Sequence, residues 1–183
     1  SYWLGEFEKM SPEDKNKWVQ YWDPSQYVSS STMPILFING GTDFAYPPDS
    51  HAKTYELVQS QKNIRFVPDM EHGHIFDRPK EIEGFIDHHL NAAPPLPKIT
   101  SLDVGDKYVT AKVKCKTELI TAELHYTRDK LPGNPKTRKW LKQSANVEQN
   151  EITTKCPPEG AKIWFLTVTD ERKMMVSSKL IFR

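Results

Sequence analysis

The sequence predicts an α/β unit followed by an all-β unit, and three observations carry that expectation. In the first half, the apolar run Ile35-Leu36-Phe37-Ile38 and the strand-like segment Asn63-Ile64-Arg65-Phe66-Val67-Pro68 lie between stretches with helical spacing. From Tyr108 onward the spacing turns into strict alternation of apolar and polar residues. Charge divides at the same place. Residues 1–90 carry 8 basic and 14 acidic side chains, a net of −6, while residues 91–183 carry 17 and 10, a net of +7. Two halves of opposite sign inside a 183-residue chain of net charge +1 suggest separately built units.

Ser11-Pro12-Glu13-Asp14 opens the first predicted helix. Ser11 can cap it, Pro12 suits its first position, and the acids face its positive end. The helix is expected to run to Trp22, with Trp18, Val19, Tyr21 and Trp22 supplying apolar surface, and Asp23-Pro24 ends it. Residues 35–38 are apolar without alternation, as in a strand buried on both faces of a parallel sheet. The run breaks at Asn39-Gly40-Gly41-Thr42-Asp43. A helix is expected over residues 49–60, a second strand over 63–68, a loop over 69–74, and a helix from Pro79 with Ile82, Phe85, Ile86 and Leu90 at helical spacing. Helices alternating with short apolar strands read as α/β.

Asn91-Ala92-Ala93-Pro94-Pro95-Leu96-Pro97 reads as a stiff, extended linker at the point where the charge changes sign. The expected division is residues 1–92, a Pro-rich linker at 93–97, and residues 98–183. In the last of these, Val109, Ala111, Val113 and Cys115 alternate with Lys112, Lys114 and Lys116, which read as a solvated outer face. Residues 121–126, 151–156, 162–169 and 174–182 follow as strands, parted by Pro- and Gly-rich turns. Six or seven short strands in this span fit a small β-sandwich of immunoglobulin or fibronectin type III style.

The eight glycines, at positions 5, 40, 41, 73, 84, 105, 133 and 160, exclude several chemistries. No two are four apart, so no Gly-x-Ser-x-Gly nucleophile elbow is present, and no phosphate-cradling or dinucleotide-binding glycine loop either. No apolar run approaches the roughly 20 residues of a membrane span. The near-neutral charge and the lack of a reader motif argue against nucleic acid. Cys115 and Cys156 cannot make a metal set by themselves; they are either one disulfide or two small, largely buried thiols.

Asp43 and His72 are the candidate catalytic residues. Each lies five residues beyond a predicted parallel strand, so both loops should emerge at the sheet's carboxyl edge, where such folds place their sites. An acid followed by a histidine on successive loops suits proton transfer, because a carboxylate fixes the imidazole's tautomer and stabilises its cation. His74 rivals His72 on the same loop. A metal site built from Asp69, Glu71, His72 and His74 is a weaker alternative, since spacing places no third ligand. Phe44 and Tyr46 either line a cleft or pack. His88 and His89 read as partners of the helix end. Trp140 and Trp164 are either sugar-stacking rings or core residues of the sandwich.

These segments carry a resemblance. Pro34-Ile-Leu-Phe-Ile-Asn-Gly-Gly-Thr-Asp43-Phe-Ala-Tyr-Pro47 resembles the α/β-hydrolase segment that delivers the triad acid. Val67-Pro-Asp-Met-Glu-His72-Gly-His74, with the helix over 81–90, resembles the segment that delivers the triad histidine. With Trp22-Asp-Pro-Ser-Gln-Tyr27 before them and the linker and sandwich after, the order is similar to bacterial acetyl xylan esterase-like hydrolases. Ala122-Glu-Leu-His-Tyr-Thr127, Arg138-Lys-Trp140, Val168-Thr-Asp170 and Ser177-Ser178 match the same pattern. Prolyl oligopeptidase-like and dienelactone hydrolase-like enzymes share the acid and histidine segments. The resemblance implies a triad acid at Asp43, a triad histidine at His72, no cofactor, a small acyl-ester or carbohydrate substrate, and a secreted or periplasmic location. With no nucleophile elbow, the chain is expected to be the C-terminal part of a larger serine hydrolase, partnered by the missing N-terminal part and inactive without it. A carbohydrate-binding module or part of a serine peptidase are the competing expectations.

Overall fold

The computed structural model describes residues 2–73, 79–131 and 133–183. It contains four α-helices and ten strands in two sheets among those residues. Helix α1 (Tyr2–Lys9) precedes the first helix expected from the sequence. Helix α2 (Pro12–Trp22) is capped as anticipated: Asp14 N–H donates to Ser11 Oγ at 3.1 Å, and Asp23 ends it. Its aromatic residues are not buried, however. Trp18, Tyr21 and Trp22 are all exposed.

Strand β1 (Ile35–Gly40) and strand β2 (Lys62–Val67) lie parallel, with Ile35 opposite Lys62 and Gly40 opposite Val67. Helix α3 (Pro48–Leu57) connects them, and helix α4 (Lys80–Asn91) follows. The parallel arrangement puts the loops after Gly40 and Val67 at the same end, as the two apolar runs predicted.

Strands β3 (Lys98–Val104), β4 (Tyr108–Lys114), β5 (Leu119–Thr127), β6 (Leu141–Glu148), β7 (Glu151–Lys155), β8 (Ile163–Asp170), β9 (Met175–Ser177) and β10 (Ile181–Phe182) form one antiparallel sheet. Its hydrogen-bonded order is β10-β8-β5-β6-β7-β4-β3, with β9 also paired to β8. The curl runs through β6. Its residues 141–145 pair with β5 and its residues 146–148 pair with β7. The run expected as one strand over 174–182 is broken at Ser178, whose hydroxyl accepts the Leu166 N–H at 3.0 Å where a ladder carbonyl would otherwise sit. Alternation decides what fills the curl. Val109, Ala111, Val113, Leu124, Ile152, Trp164, Leu166 and Val168 point inward and are buried, while Lys112, Lys114 and Lys116 are exposed. Cys115 and Cys156 are free, half-buried thiols.

A two-stranded sheet is not stable on its own as a rule. Here the larger sheet supports it. Phe66 of β2 is fully buried and meets Phe165 edge-on at 5.0 Å and Trp140 at 5.8 Å. Leu36 and Phe85 pack on the core inside the curl. Arg65 Nε lies 2.9 Å from Glu81 Oε2, and Glu81 Oε1 accepts the Met175 N–H at 2.6 Å. The proline-rich segment, read from sequence as a spacer, is bolted down. Arg172 donates to the carbonyls of Pro94 and Pro95 at 2.9 and 2.8 Å, and Asn63 Nδ2 donates to Pro97 O at 3.0 Å.

Candidate functional site

The site is built by the two loops at the carboxyl end of the parallel pair. Asn39, near the end of β1, ties the first loop to itself. Its Oδ1 accepts the Gly40 N–H at 2.9 Å and its Nδ2 donates to Tyr46 O at 3.0 Å. Gly41 N–H donates to Val67 O at 2.8 Å, so the first loop starts flush against the second. Only glycine fits at this crossing. A Cβ on Gly40 would lie 1.9 Å from Met70 O, and one on Gly41 would lie 2.3 Å from both Pro68 O and Trp140 Nε1.

This close approach brings Asp43 to His72, 29 residues apart in the chain. His72 Nδ1 is 3.2 Å from Asp43 Oδ2. The other carboxylate oxygen, Oδ1, accepts the N–H groups of Ala45 and Tyr46 at 2.7 and 2.9 Å. Asp43 is 6% exposed. A carboxylate only accepts hydrogen bonds, so Nδ1 is the donor in this pair. The arrangement is that of a base oriented by an acid. Two rings flank the imidazole. Phe44 meets it edge-on at 5.1 Å and Tyr46 lies tilted at 5.6 Å. Both are more than half exposed, so they form a rim around His72 rather than a buried packing layer. Lys136 Nζ stands 4.8 Å above the Phe44 ring.

His74 lies outside the described residues, so the rival histidine and the four-ligand metal reading are not compared with His72 on geometry. Among the described residues, no group of three or more His, Cys, Asp or Glu side chains is placed to hold a metal ion. His88 donates from Nδ1 to Ala93 O at 2.7 Å and His89 sits edge-on to Phe85 at 4.6 Å, so both serve the end of α4. Trp164 is fully buried, and Trp140 packs against Phe66, Phe165 and Gly41.

Several residues that shape the site have contacts that no local pattern in the sequence reveals. Arg138 is 5% exposed and donates from Nη1 to Gly41 O at 3.0 Å, across 97 residues of chain. His51 on α3 lies against Phe37 and Phe66, and burial lowers its pKa from 6.5 to about 4. His125 on β5 stacks on Phe165 and its Nε2 lies 3.0 Å from Thr167 Oγ1; burial pushes its pKa down, against the pull of Glu123. His51 lies in no motif, and His125 lies in the Ala122–Thr127 segment. Each is set by burial between elements distant in sequence.

A family model described as PhoPQ-activated pathogenicity-related protein matches residues 4–130. The matched span includes both site loops and the strands that carry them. No curated protein matches the chain.

Proposed function

The chain belongs to the PhoPQ-activated pathogenicity-related protein family, and from that premise we propose that it carries the acid–base half of a serine hydrolase site. In this reading Asp43 orients His72, and His72 Nε2 takes the proton from a serine hydroxyl and returns it to the leaving group. The substrate class is a carboxylic ester, with an acetylated carbohydrate as the favoured case. The curled sheet then takes the place of the immunoglobulin-like domain of acetyl xylan esterase-like enzymes.

One observation carries the reading: a buried carboxylate with one oxygen fixed by two backbone N–H groups and the other 3.2 Å from the imidazole. A surface aspartate that merely closed a turn would need only the first of these. The exposed rings of Phe44 and Tyr46 around His72 suit an apolar or sugar group resting beside the base. The serine and its oxyanion donors come from polypeptide outside these 183 residues, because no nucleophile elbow occurs within them.

The test uses a fluorophosphonate probe and 4-nitrophenyl acetate. The 183-residue chain alone is expected neither to be labelled nor to show Asp43-dependent hydrolysis. The longer natural polypeptide is expected to do both, and Asp43→Asn is expected to lower its kcat by about 10⁴-fold. A natural polypeptide with no serine that reacts with the probe would sink this reading and favour a binding module.

A further inference from the structure

We propose that the segment over residues 136–140, which belongs to the all-β part of the chain, is a built part of the candidate site, with Arg138 the positioning residue for the loop that bears Asp43. The inference rests on reading Asp43 and His72 as a working pair. Three side chains of this segment, each two residues from the next, reach the site loops. Lys136 covers the Phe44 ring, Arg138 holds the Gly41 carbonyl, and Trp140 closes on Gly41 and Phe66. Gly41 is two residues before Asp43 and its amide is already fixed to Val67 O. Arg138 therefore clamps the second polar group of the residue that sets where the Asp43 loop begins.

The segment is itself braced. Lys139 N–H donates to Asp129 Oδ2 at 2.9 Å, and Arg138 N–H donates to Pro135 O at 3.1 Å. Asp129 and Asp49 are the acidic charges acting on the guanidinium, one just after β5 and the other in the first turn of α3. Burying a guanidinium is costly, and an apolar residue of similar volume packs such a space as well or better. What an apolar residue cannot supply is a donor at a fixed point. The donor here is aimed at Gly41 O, beside the crossing where any side chain would collide with Pro68 or Trp140. A shift of that crossing moves Asp43 relative to the loop of His72, since the two loops touch there. The Asp43–His72 contact thus depends on a residue from the other half of the chain.

The test is the ¹⁵N spectrum of the His72 imidazole in the 183-residue protein, which reports whether Nδ1 or Nε2 carries the proton. The wild type is expected to hold the Nδ1–H form. Asp43→Asn is expected to move the ring toward the Nε2–H form, because the amide nitrogen no longer accepts. Arg138→Met is expected to move it in the same direction while the urea midpoint confirms a folded protein, and Arg138→Lys to move it less. If Asp43→Asn changes nothing, the pairing itself fails. If Asp43→Asn shifts the tautomer and a folded Arg138→Met keeps the wild-type form, the positioning role is overturned and the pair stands. Should Arg138→Met not fold, Arg138→Lys decides: an intermediate tautomer ratio supports the role, and the wild-type ratio overturns it.

Discussion

Ser177 completes the hydrogen bonding of Phe66 in place of a neighbouring strand. Its hydroxyl accepts the Phe66 N–H at 2.8 Å and donates to the Phe66 carbonyl at 3.2 Å, 111 residues away in sequence. One side chain thus satisfies both backbone groups of a residue with no accessible surface. Unsatisfied backbone groups in such a place are strongly disfavoured. Ser177→Ala is therefore expected to cost about 1–3 kcal/mol, read as a fall of roughly 2–4 °C in Tm per kcal/mol for a chain of this size. An unchanged Tm would mean that this edge of β2 is satisfied in another way.

Gly41 lies between a carbonyl and an indole, with no room for a methyl group. Gly41→Ala is expected to destabilise by at least about 1–3 kcal/mol through overpacking. It should also separate the two loops, so that in a crystal structure of the variant His72 Nδ1 no longer lies within hydrogen-bond distance of Asp43. Intact geometry with unchanged stability would show that the crossing yields more easily than the contacts suggest.

Asp170 organises the turn after β8 and, through Arg172, the proline segment. It is fully buried. Its Oδ1 accepts the N–H groups of Arg172 and Met174, and its Oδ2 accepts from Arg172 Nε and Thr117 Oγ1. Arg172 then spends its two terminal nitrogens on Pro94 and Pro95. Removing one member of such a pair leaves the other without compensation, and Asp170→Ala is expected to cost about 3–5 kcal/mol. Limited proteolysis should then cut near residues 91–95, which the wild type should resist.

His51 makes stability fall in acid. Burial lowers its pKa from 6.5 to about 4. Above pH 6.5 the ring is neutral in both folded and unfolded chains and contributes no pH dependence. Between pH 6.5 and about 4 the unfolded chain takes up a proton that the folded chain refuses, so stability drops as pH falls. The full loss is on the order of 3 kcal/mol. His125, displaced in the same direction for the same reason, adds to the trend. Urea midpoints measured from pH 7 to pH 4 should slope less for His51→Phe than for the wild type; equal slopes would place the acid sensitivity elsewhere.

The parts of this molecule that were legible in the sequence are those governed by local rules. The apolar run at 35–38 and the strand-like segment at 63–68 point to parallel strands, and the placement of Asp43 and His72 follows from their distance beyond those strands. Ser11-Pro12 announced the start of α2. Strand β6 is not legible because Leu141-Lys-Gln-Ser-Ala-Asn-Val-Glu148 is polar and lies in the middle of the curled sheet, where the same strand serves two neighbours. Arg138 stands in the Arg138-Lys-Trp140 segment that carries the resemblance, but its contact lies 97 residues away, and nothing in that segment says where its donors point. The proline-rich segment makes a related point. Prolines do stiffen a segment, but whether it spans open space depends on residues such as Arg172 and Asn63 that bind its carbonyls.

The reliance of β2 on Ser177 also bears on how the protein is made. Ribosomes deliver the chain from its first residue at about 5–20 residues per second. Phe66 must therefore wait on the order of ten seconds for the residues that cover it. During that interval the Phe66 N–H and carbonyl lack the Ser177 hydroxyl that they share in the finished fold. A nascent chain stalled before β9 should therefore leave the outer edge of β2 at Phe66 open, and should present it to chaperones.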